Sequence, residues 1–256
     1  AGNLNVTSGT LNLAGFTANR GSVGGTLTVN NNATLKIGGT NSFPANYSSN
    51  TLLLASNVEY SGTNQSVANH AYGNLILSSG SGAATKTLPG TAMTVMGNLS
   101  LNQGAGASVI ATAAANISVN GTVNIGAATT LDGGGQSLSI GGNWVNQGTF
   151  TGNGSTVSMN GTSTAISGSG THNFHNLTVT APLITMAAGT NIQLSGNLAT
   201  TGIGALVHGA GGTLTMSGSG KSIAGLDIFL DNLAVTGTVS TASSLKAAGN
   251  LAVSGT

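Results

Sequence analysis

The stretch YGNLILSSGSGAATKTLPGTAMTVMGNLSL, residues 72–101, contains the pattern Gly-Asn-Leu-x-Leu twice, with the second copy 24 residues after the first. One charged side chain, Lys86, lies between the two copies. Short apolar-x-apolar pairs bounded by Gly, Asn, Ser or Thr are typical of β-strands. Because the same pairs continue along the chain with almost no helical spacing, this stretch predicts a repeat architecture built from strands.

A set of leading apolar residues recurs from one end of the chain to the other. Its members are Leu4, Leu27, Leu52, Leu75, Leu99, Ile117, Leu138, Val157, Leu177, Leu198, Leu214, Leu233 and Leu251. The intervals average about 20.6 residues, which is too short for a propeller blade but fits one coil of a β-solenoid. The sequence therefore predicts an all-β fold: a single elongated parallel β-solenoid, right-handed, with about 12–13 irregular rungs of about 16–25 residues and no clear caps.

The whole chain, residues 1–256, is predicted to form one continuous solenoid. A longer composite unit occurs three times within it, near residues 58–101, 157–198 and 214–253. Each copy begins with Val or Leu, then Tyr or Met, then Gly at alternate positions. An Asn-Leu pair follows, and a Gly-Asn-Leu triplet ends the copy. The spacing inside the copies varies, so loops of different length are expected to leave the solenoid at fixed corners.

Gly-Asn pairs precede many of the inward leucines. They are Gly2-Asn3, Gly73-Asn74, Gly97-Asn98, Gly142-Asn143, Gly196-Asn197 and Gly249-Asn250. Because glycine, and to a lesser degree asparagine, tolerates a positive φ, we interpret each pair as the same corner of a rung. We expect stacked corner asparagines to bond side chain to side chain along the axis. The predicted ladder consists of Asn74, Asn98, Asn143, Asn176, Asn197 and Asn232.

Two charged residues support the assignment of rungs. Lys36 and Glu59 both stand between inward apolar residues and are 23 residues apart, which is one local turn. We expect them to form an outward ion pair on neighbouring rungs, worth less than about 1 kcal/mol.

The repeats also carry a resemblance. The segments GGNWVNQGTFTGNGSTVSMNGTSTAISGSGTHNFHNLTV (141–179) and IGGTNSFPANYSSNTLLLASNVEYSGTNQSV (37–67) resemble repeats of large secreted bacterial surface proteins, adhesin-like and with parallel β-helix repeats. They are similar in style to filamentous-haemagglutinin and autotransporter passenger stalks. The resemblance covers most of the chain and contains no catalytic motif. It implies a secreted protein of the bacterial cell surface with a structural or adhesive role.

Composition argues against several classes of function. Charged residues make up 4 % of the chain, against about a quarter in ordinary globular domains. The net charge is +1 and the five basic residues are scattered, which argues against a nucleic-acid partner. No apolar run reaches the roughly 18 residues of a membrane span. Hydrophobic residues make up 39 %, too many for a disordered linker.

Chemically active residues are few. Asp227 and Asp231 are the one near pair among four carboxylates, and we interpret both as solvated or corner-capping residues. His172 and His175 are three apart and face opposite sides of a strand, so they do not form a metal site, and we expect the histidines to lie in loops or on the surface. The chain is therefore predicted not to be an enzyme and to have no catalytic, cofactor or metal site.

Two alternatives to a structural role remain open. A carbohydrate-binding or carbohydrate-degrading β-helix could line a groove with aromatic rings, although rings that fill the interior are the favoured interpretation. The aromatic candidates are Tyr47, Tyr60, Trp144, Phe150 and Phe174. An ice-binding solenoid is the third possibility, suggested by Thr26-x-Thr28, Thr178-x-Thr180 and Thr213-x-Thr215, but irregular rung lengths are expected to spoil a regular lattice.

The same pattern occurs near both ends of the sequence and predicts self-assembly surfaces. The residues are Gly2, Asn3, Leu4 and Val6, and Gly249, Asn250, Leu251 and Val253. Two explanations remain: the chain is a segment of a longer array, or each molecule docks its last rung on the first rung of the next. The predicted function is a structural protomer or segment of a bacterial extracellular filament, secreted, with a role in adhesion or biofilm matrix. Its expected partners are further copies of itself and surface polysaccharide.

Overall fold

Alternation of apolar and polar residues produces short strands with one buried and one outward side. The segments Thr26–Val29 and Thr34–Ile37, for example, bury their second and fourth residues and leave the first and third half-buried. A computed structural model describes residues 2–102, 108–201, 205–225, 227–242 and 244–255. In it the strands stack in parallel as an all-β solenoid of about 11 turns, which confirms the predicted fold class. At about 4.8 Å per turn the rod is roughly 50 Å long, and its handedness stays a prediction.

The strands of the described residues are numbered in chain order. The first eleven are β1 (Leu4–Val6), β2 (Thr10–Asn12), β3 (Thr26–Val29), β4 (Thr34–Ile37), β5 (Ser49–Leu52), β6 (Asn57–Tyr60), β7 (Gln65–Ser66), β8 (Asn74–Leu77), β9 (Ala84–Thr87), β10 (Met93–Val95) and β11 (Leu99–Leu101). The next eleven are β12 (Val109–Thr112), β13 (Ile117–Val119), β14 (Val123–Ile125), β15 (Thr129–Asp132), β16 (Ser137–Ile140), β17 (Trp144–Asn146), β18 (Thr149–Thr151), β19 (Thr156–Met159), β20 (Thr164–Ser167), β21 (Thr171–Phe174) and β22 (Asn176–Val179). The last eleven are β23 (Leu183–Met186), β24 (Ile192–Leu194), β25 (Leu198–Thr200), β26 (Ala205–His208), β27 (Thr213–Met216), β28 (Lys221–Ala224), β29 (Ile228–Leu230), β30 (Asn232–Val235), β31 (Val239–Thr241), β32 (Leu245–Ala247) and β33 (Leu251–Val253).

The strands form four parallel sheets that run along the rod. The three-stranded sheet has the order β1-β3-β5, and the twelve-stranded sheet has the order β2-β4-β6-β8-β11-β14-β17-β20-β23-β26-β29-β32. The ten-stranded sheet runs from β7 through β9, β12, β15, β18, β21, β24, β27 and β30 to β33, and the eight-stranded sheet has the order β10-β13-β16-β19-β22-β25-β28-β31. From β8 onward each turn contributes one strand to each of three sheets, so the solenoid has three faces.

The first turns are built differently from the rest. They contain two strands each, and the ten-stranded sheet begins only with the two-residue strand β7. The connections 13–25 and 38–48 take the place of a third strand and stack on each other. The Arg20 amide donates to Ala45 O at 3.1 Å, and the Tyr47 hydroxyl donates to Ala18 O at 2.8 Å. Solenoid stacking therefore continues through these loops without a strand on the third side.

The set of leading residues does not follow one face of the solenoid. Leu4, Leu27 and Leu52 lie in the three-stranded sheet, Leu75 and Leu99 in the twelve-stranded sheet, Ile117 to Leu198 in the eight-stranded sheet, and Leu214 to Leu251 in the ten-stranded sheet. Each change of face shifts the position of the leading residue by part of a turn. The twelve strands of the twelve-stranded sheet are separated by about 11 turns, close to the 12–13 rungs that were expected.

The composite unit is three successive turns on one face. In the first copy Val58, Leu75 and Leu99 are register partners in the twelve-stranded sheet. The corresponding residues are Val157, Leu177 and Leu198 in the eight-stranded sheet, and Leu214, Leu233 and Leu251 in the ten-stranded sheet. The same sequence pattern therefore occupies a different face of the rod in each copy.

The interior is filled by aliphatic side chains and an aromatic cluster. Trp144, Phe150 and Phe174 are buried, with ring centroids 4.7–5.3 Å apart. Tyr60 is also buried, and Tyr47 is half-buried over the loop that its hydroxyl contacts. The interpretation that these rings fill the interior or cover a loop is confirmed.

Candidate functional site

The corner glycines are required by close packing between turns. The predicted reason is wrong, because in the described chain none of the glycines in the six Gly-Asn pairs has a positive φ. A Cβ at Gly97 would instead lie 2.3 Å from Asn74 Oδ1, and one at Gly196 would lie 2.3 Å from Asn176 Oδ1. The asparagine of the turn before therefore occupies the space that a side chain would need.

The corner asparagines bond along the axis, in a different way from the predicted side-chain ladder. In each asparagine of the predicted ladder, the Oδ1 atom accepts a hydrogen bond from a backbone N–H of the next turn. The donors are Asn98 for Asn74, Thr122 for Asn98, Ala165 for Asn143, Asn197 for Asn176, Ser222 for Asn197 and Asn250 for Asn232, at 2.8–3.0 Å. A side chain to side chain bond joins Asn74 Nδ2 to Asn57 Oδ1 at 3.1 Å. The asparagines thus satisfy backbone donors where the chain turns and the strand ladder is interrupted.

We predict that Gly97→Ala lowers the free energy of unfolding by about 1–3 kcal/mol, because the new methyl group displaces the Asn74 side chain and its bond to the Asn98 amide. The matched control is Gly90→Ala, where a Cβ meets no atom within 4 Å and φ is not positive. Urea unfolding followed by far-UV circular dichroism compares the two. Equal unfolding midpoints for both variants would contradict the packing role of Gly97.

The two ends with similar sequence lie in different sheets. Leu4 and Val6 are in β1 of the three-stranded sheet, whereas Leu251 and Val253 are in β33 of the ten-stranded sheet. The expectation that both ends show the same corner is therefore wrong, because the repeated pattern changes face along the rod.

The last turn presents inward-type apolar residues to solvent. β31, β32 and β33 are each the final strand of a sheet. Leu251 and Val253 are register partners of Leu233 and Val235, yet they are 63 % and 61 % exposed. Among the described residues no further turn lies over these two side chains.

The first turn also exposes apolar side chains. Phe16 and Val23, in the connection between β2 and β3, are 79 % and 76 % exposed. Arg20 in the same connection donates to Gly2 O, and its guanidinium carbon lies 5.9 Å from the centroid of the Tyr47 ring. Exposed large apolar residues are thus found in both the first and the last turn.

The Lys36 and Glu59 side chains meet on adjacent turns. They are register partners in β4 and β6, with Lys36 Nζ 2.9 Å from Glu59 Oε1. The Ser78 hydroxyl donates to the same carboxylate oxygen at 2.6 Å. Because the lysine side chain is about one third exposed, the pair adds little stability.

Lys86 is buried, although the sequence pattern had placed it among the scattered basic residues. Lys86 is fully buried, and its Nζ donates to Gly62 O at 2.7 Å, Thr63 O at 3.0 Å and Gln65 Oε1 at 2.6 Å. Burial lowers the pKa of Lys86 to about 8, although the negative charge of Glu59 raises it. The signal was present in the alternation, because Lys86 follows the inward position of Ala84 by two residues.

Two buried tyrosines precede this lysine in the sequence, and their hydroxyl groups bond to each other. The Tyr60 and Tyr72 hydroxyls are 3.0 Å apart, the Ala68 amide donates to Tyr60, and Tyr72 donates to Ala68 O. Burial raises the pKa of both phenols. Tyr60 and Tyr72 form one buried polar pair, and Lys86 and Gln65 form another.

The remaining ionisable residues do not converge. Asp231 Oδ2 accepts from the Gly211 amide at 2.7 Å, which is the capping role that was predicted.

His175 bonds to Ser195 Oγ at 3.0 Å on the outside of the solenoid. His172 and His208 are buried and bond to Gly168 O and Thr190 O, so the expectation of surface histidines is wrong for these two. The described ranges contain no group of three or more potential His, Cys, Asp or Glu metal ligands.

A shallow groove of about 500 Å³ lies on the twelve-stranded sheet. Its lining consists of Asn98, Ser100, Thr122, Asn124, Gly126, Val145 and Gln147, with no carboxylate and no aromatic ring. Such a lining supplies hydrogen-bonding groups without an acid–base pair or a stacking surface for sugars.

No protein-family model, curated protein or solved structure matches this chain. Within the described residues no helix is long and apolar enough to cross a membrane. The β-solenoid is therefore given by the structure, whereas the likeness to adhesin-like proteins rests on the repeat pattern.

Proposed function

We propose that this chain is a non-enzymatic structural protein, the protomer or a segment of a secreted bacterial extracellular fibre in which solenoid turns stack end to end. The observation that carries the proposal is the continuous parallel stacking of turns, with neighbouring strands in register along the described residues. A fibre of this kind would act at the cell surface, in adhesion or in a biofilm matrix, in contact with surface polysaccharide.

The physical argument rests on strand edges, apolar area and charge. An open edge has unpaired N–H and C=O groups that another parallel strand can satisfy. Covering apolar side chains contributes about 25 cal/mol per Å² of area removed from water. The net charge of +1 leaves little repulsion between stacked copies. The occupant that we propose is the first turn of a second copy, since a head-to-tail contact of this kind does not close and extends into a fibre.

The positions of the two similar ends constrain the contact. β1 and β33 belong to different sheets, so pairing these two strands rotates the second molecule by one face. A fibre that pairs them therefore has a screw axis rather than a pure translation along the rod.

The test is cryo-electron microscopy of the purified protein, with Leu251→Asp/Val253→Asp as the variant. We expect wild-type fibres with an axial rise of roughly 50 Å per molecule and turns about 4.8 Å apart. The double variant is expected to remain as single short rods, because two carboxylates would be buried at the contact.

The matched control is Leu54→Asp, at a leucine that is 62 % exposed in the corner between β5 and β6, away from both ends. This variant is expected to assemble like the wild type. Wild-type protein that stays as dispersed rods, or a double variant that forms the same fibres, would overturn the end-to-end contact.

A further inference from the structure

The outer surface of the ten-stranded sheet bears two columns of mainly threonine side chains. Over the five successive strands β9, β12, β15, β18 and β21, the outward residues are register partners. One column consists of Thr85, Ile110, Thr130, Thr149 and Thr171, and the other of Thr87, Thr112, Asp132, Thr151 and Asn173. We call these ten residues the threonine face.

The threonine face is regular although the turns differ in length. Turns of the solenoid range from 17 residues, between Asn57 and Asn74, to 25 residues, between Asn197 and Ser222. The length differences lie in the corners and loops, and the strands stay in register. Side chains therefore repeat about every 4.8 Å between turns and about every 6.7 Å along a strand. The expectation that irregular rung lengths spoil such a lattice is wrong for this face.

The side chains of this face are uncharged except for one aspartate, and most of them are conformationally restricted. A threonine side chain has few χ1 rotamers and presents a methyl group beside a hydroxyl that both donates and accepts. Ile110 keeps the same branched shape. The charged member is Asp132, whose two oxygens already accept from the Gly134 amide at 2.8 Å and from Asn153 Nδ2 at 2.9 Å.

The other faces lack this combination. Outward residues of the eight-stranded sheet include Thr94, Ser118, Ser139, Ser158 and Thr178, which form one register column with serine at its centre. Serine is not β-branched, so its hydroxyl position is less restricted. The twelve-stranded sheet mixes polar and apolar outward residues in one register column, which contains Ile76, Ser100, Asn124 and Val145.

We propose that the threonine face binds ice. Its hydroxyls would anchor water molecules at fixed, two-dimensionally repeated positions, and the methyl groups between them would limit competing water orientations. A periodic surface of mostly uncharged hydroxyl and methyl groups suits the periodic, uncharged surface of a water crystal, and it requires no charged partner. This function would belong to one side of the rod and would act independently of assembly at its ends.

Crystalline polysaccharide is the competing partner for a periodic, hydroxyl-rich surface. Sugar rings are commonly bound by stacking on aromatic side chains. Trp144, Phe150 and Phe174 are buried inside the solenoid, and the threonine face itself contains no aromatic residue. The side chains of this face therefore favour water over sugar.

The test measures thermal hysteresis and ice-crystal shape in solutions of wild-type protein and two variants. Thr149 lies in β18, the fourth of the five strands of the threonine face, and Thr112 lies at a more exposed position in β12; the two variants are Thr149→Lys and Thr112→Lys. The matched control is Thr178→Lys, at an outward, half-buried threonine of the eight-stranded sheet. Far-UV circular dichroism establishes that each protein is folded.

Thermal hysteresis and faceted crystals for the wild type and for Thr178→Lys, with loss of both for the two threonine-face variants, would support ice binding. Absence of hysteresis in the wild type, equal loss in the control, or binding to crystalline cellulose or chitin in place of ice would overturn it. Measuring the Leu251→Asp/Val253→Asp variant as well separates this result from fibre assembly, because the threonine face is unchanged in that protein.

Discussion

Trp144→Ala is expected to lower the free energy of unfolding by about 3–5 kcal/mol. Trp144 is fully buried between its register partners Val123 and Ile166, and its ring meets Phe150 edge-on at 4.7 Å. Its removal leaves a cavity in a narrow interior whose walls are hydrogen-bonded strands, so the site cannot collapse easily. Urea unfolding monitored by far-UV circular dichroism measures the loss.

Trp144→Phe is the informative companion variant. Trp144 Nε1 has no hydrogen-bond partner in the described part of the chain, so the indole N–H contributes a desolvation cost that phenylalanine does not have. We expect the phenylalanine variant to lose much less stability than the alanine variant. Similar losses for both would show that the indole itself, rather than aromatic filling, is required at this position.

The second large effect is a rise in stability with pH that depends on Lys86. Burial lowers the pKa of Lys86 to about 8, below its ordinary value of 10.5. Between these values the unfolded chain binds a proton that the folded chain does not, so the free energy of unfolding increases with pH. The destabilisation is fully present below about pH 8, and on the order of 2 kcal/mol of it is removed by about pH 9.5.

Other titrating groups set the pH range of this measurement. The pKa values of Tyr60 and Tyr72 are raised, so the unfolded chain loses their protons first and stability falls again above about pH 10. Burial lowers the pKa values of His70 and His172, which affects stability only below about pH 6.5. The lysine effect is therefore isolated between about pH 8 and 9.5.

The measurement is a series of urea unfolding curves over this range for wild type and Lys86→Met. The methionine variant keeps an unbranched apolar stem but has no ammonium, so its stability should be nearly independent of pH there. Lys36→Met is the control, because this lysine is partly exposed and its removal should leave the pH-dependent rise in place. A flat wild-type curve, or the same rise in Lys86→Met, would contradict the assignment.

Much of the local structure could be read from the residues. The alternation around Leu35 and Val58 predicted both strands and the outward placement of Lys36 and Glu59, because neighbouring side chains of a strand point to opposite faces. The burial of Trp144 and Phe150 followed from the expectation that large aromatic rings fill the interior. The corner asparagines were found from their repetition, although their bonding partners were not.

The hydrogen-bond partners of Lys86 and the alignment of the threonine face could not be recognised in this way. A lysine in an apolar column is unusual, and its stabilisation depends on carbonyl groups of Gly62 and Thr63 that lie a full turn away. The threonines of β9 and β18 become neighbours in a lattice only through the register of the strands between them. Both features depend on how turns of unequal length are aligned.

The sequence by itself determined that the chain is a parallel β-solenoid, which apolar residues alternate toward the interior, and where the Gly-Asn corners lie. These are consequences of local alternation and of short-range steric preferences. Only the tertiary structure decided which face each strand joins, and hence the number of turns, the separation of β1 and β33 into different sheets, and the composition of each face. The physical reason is that the three faces accept the same apolar-x-apolar pattern, so the choice among them is made by stacking on the preceding turn.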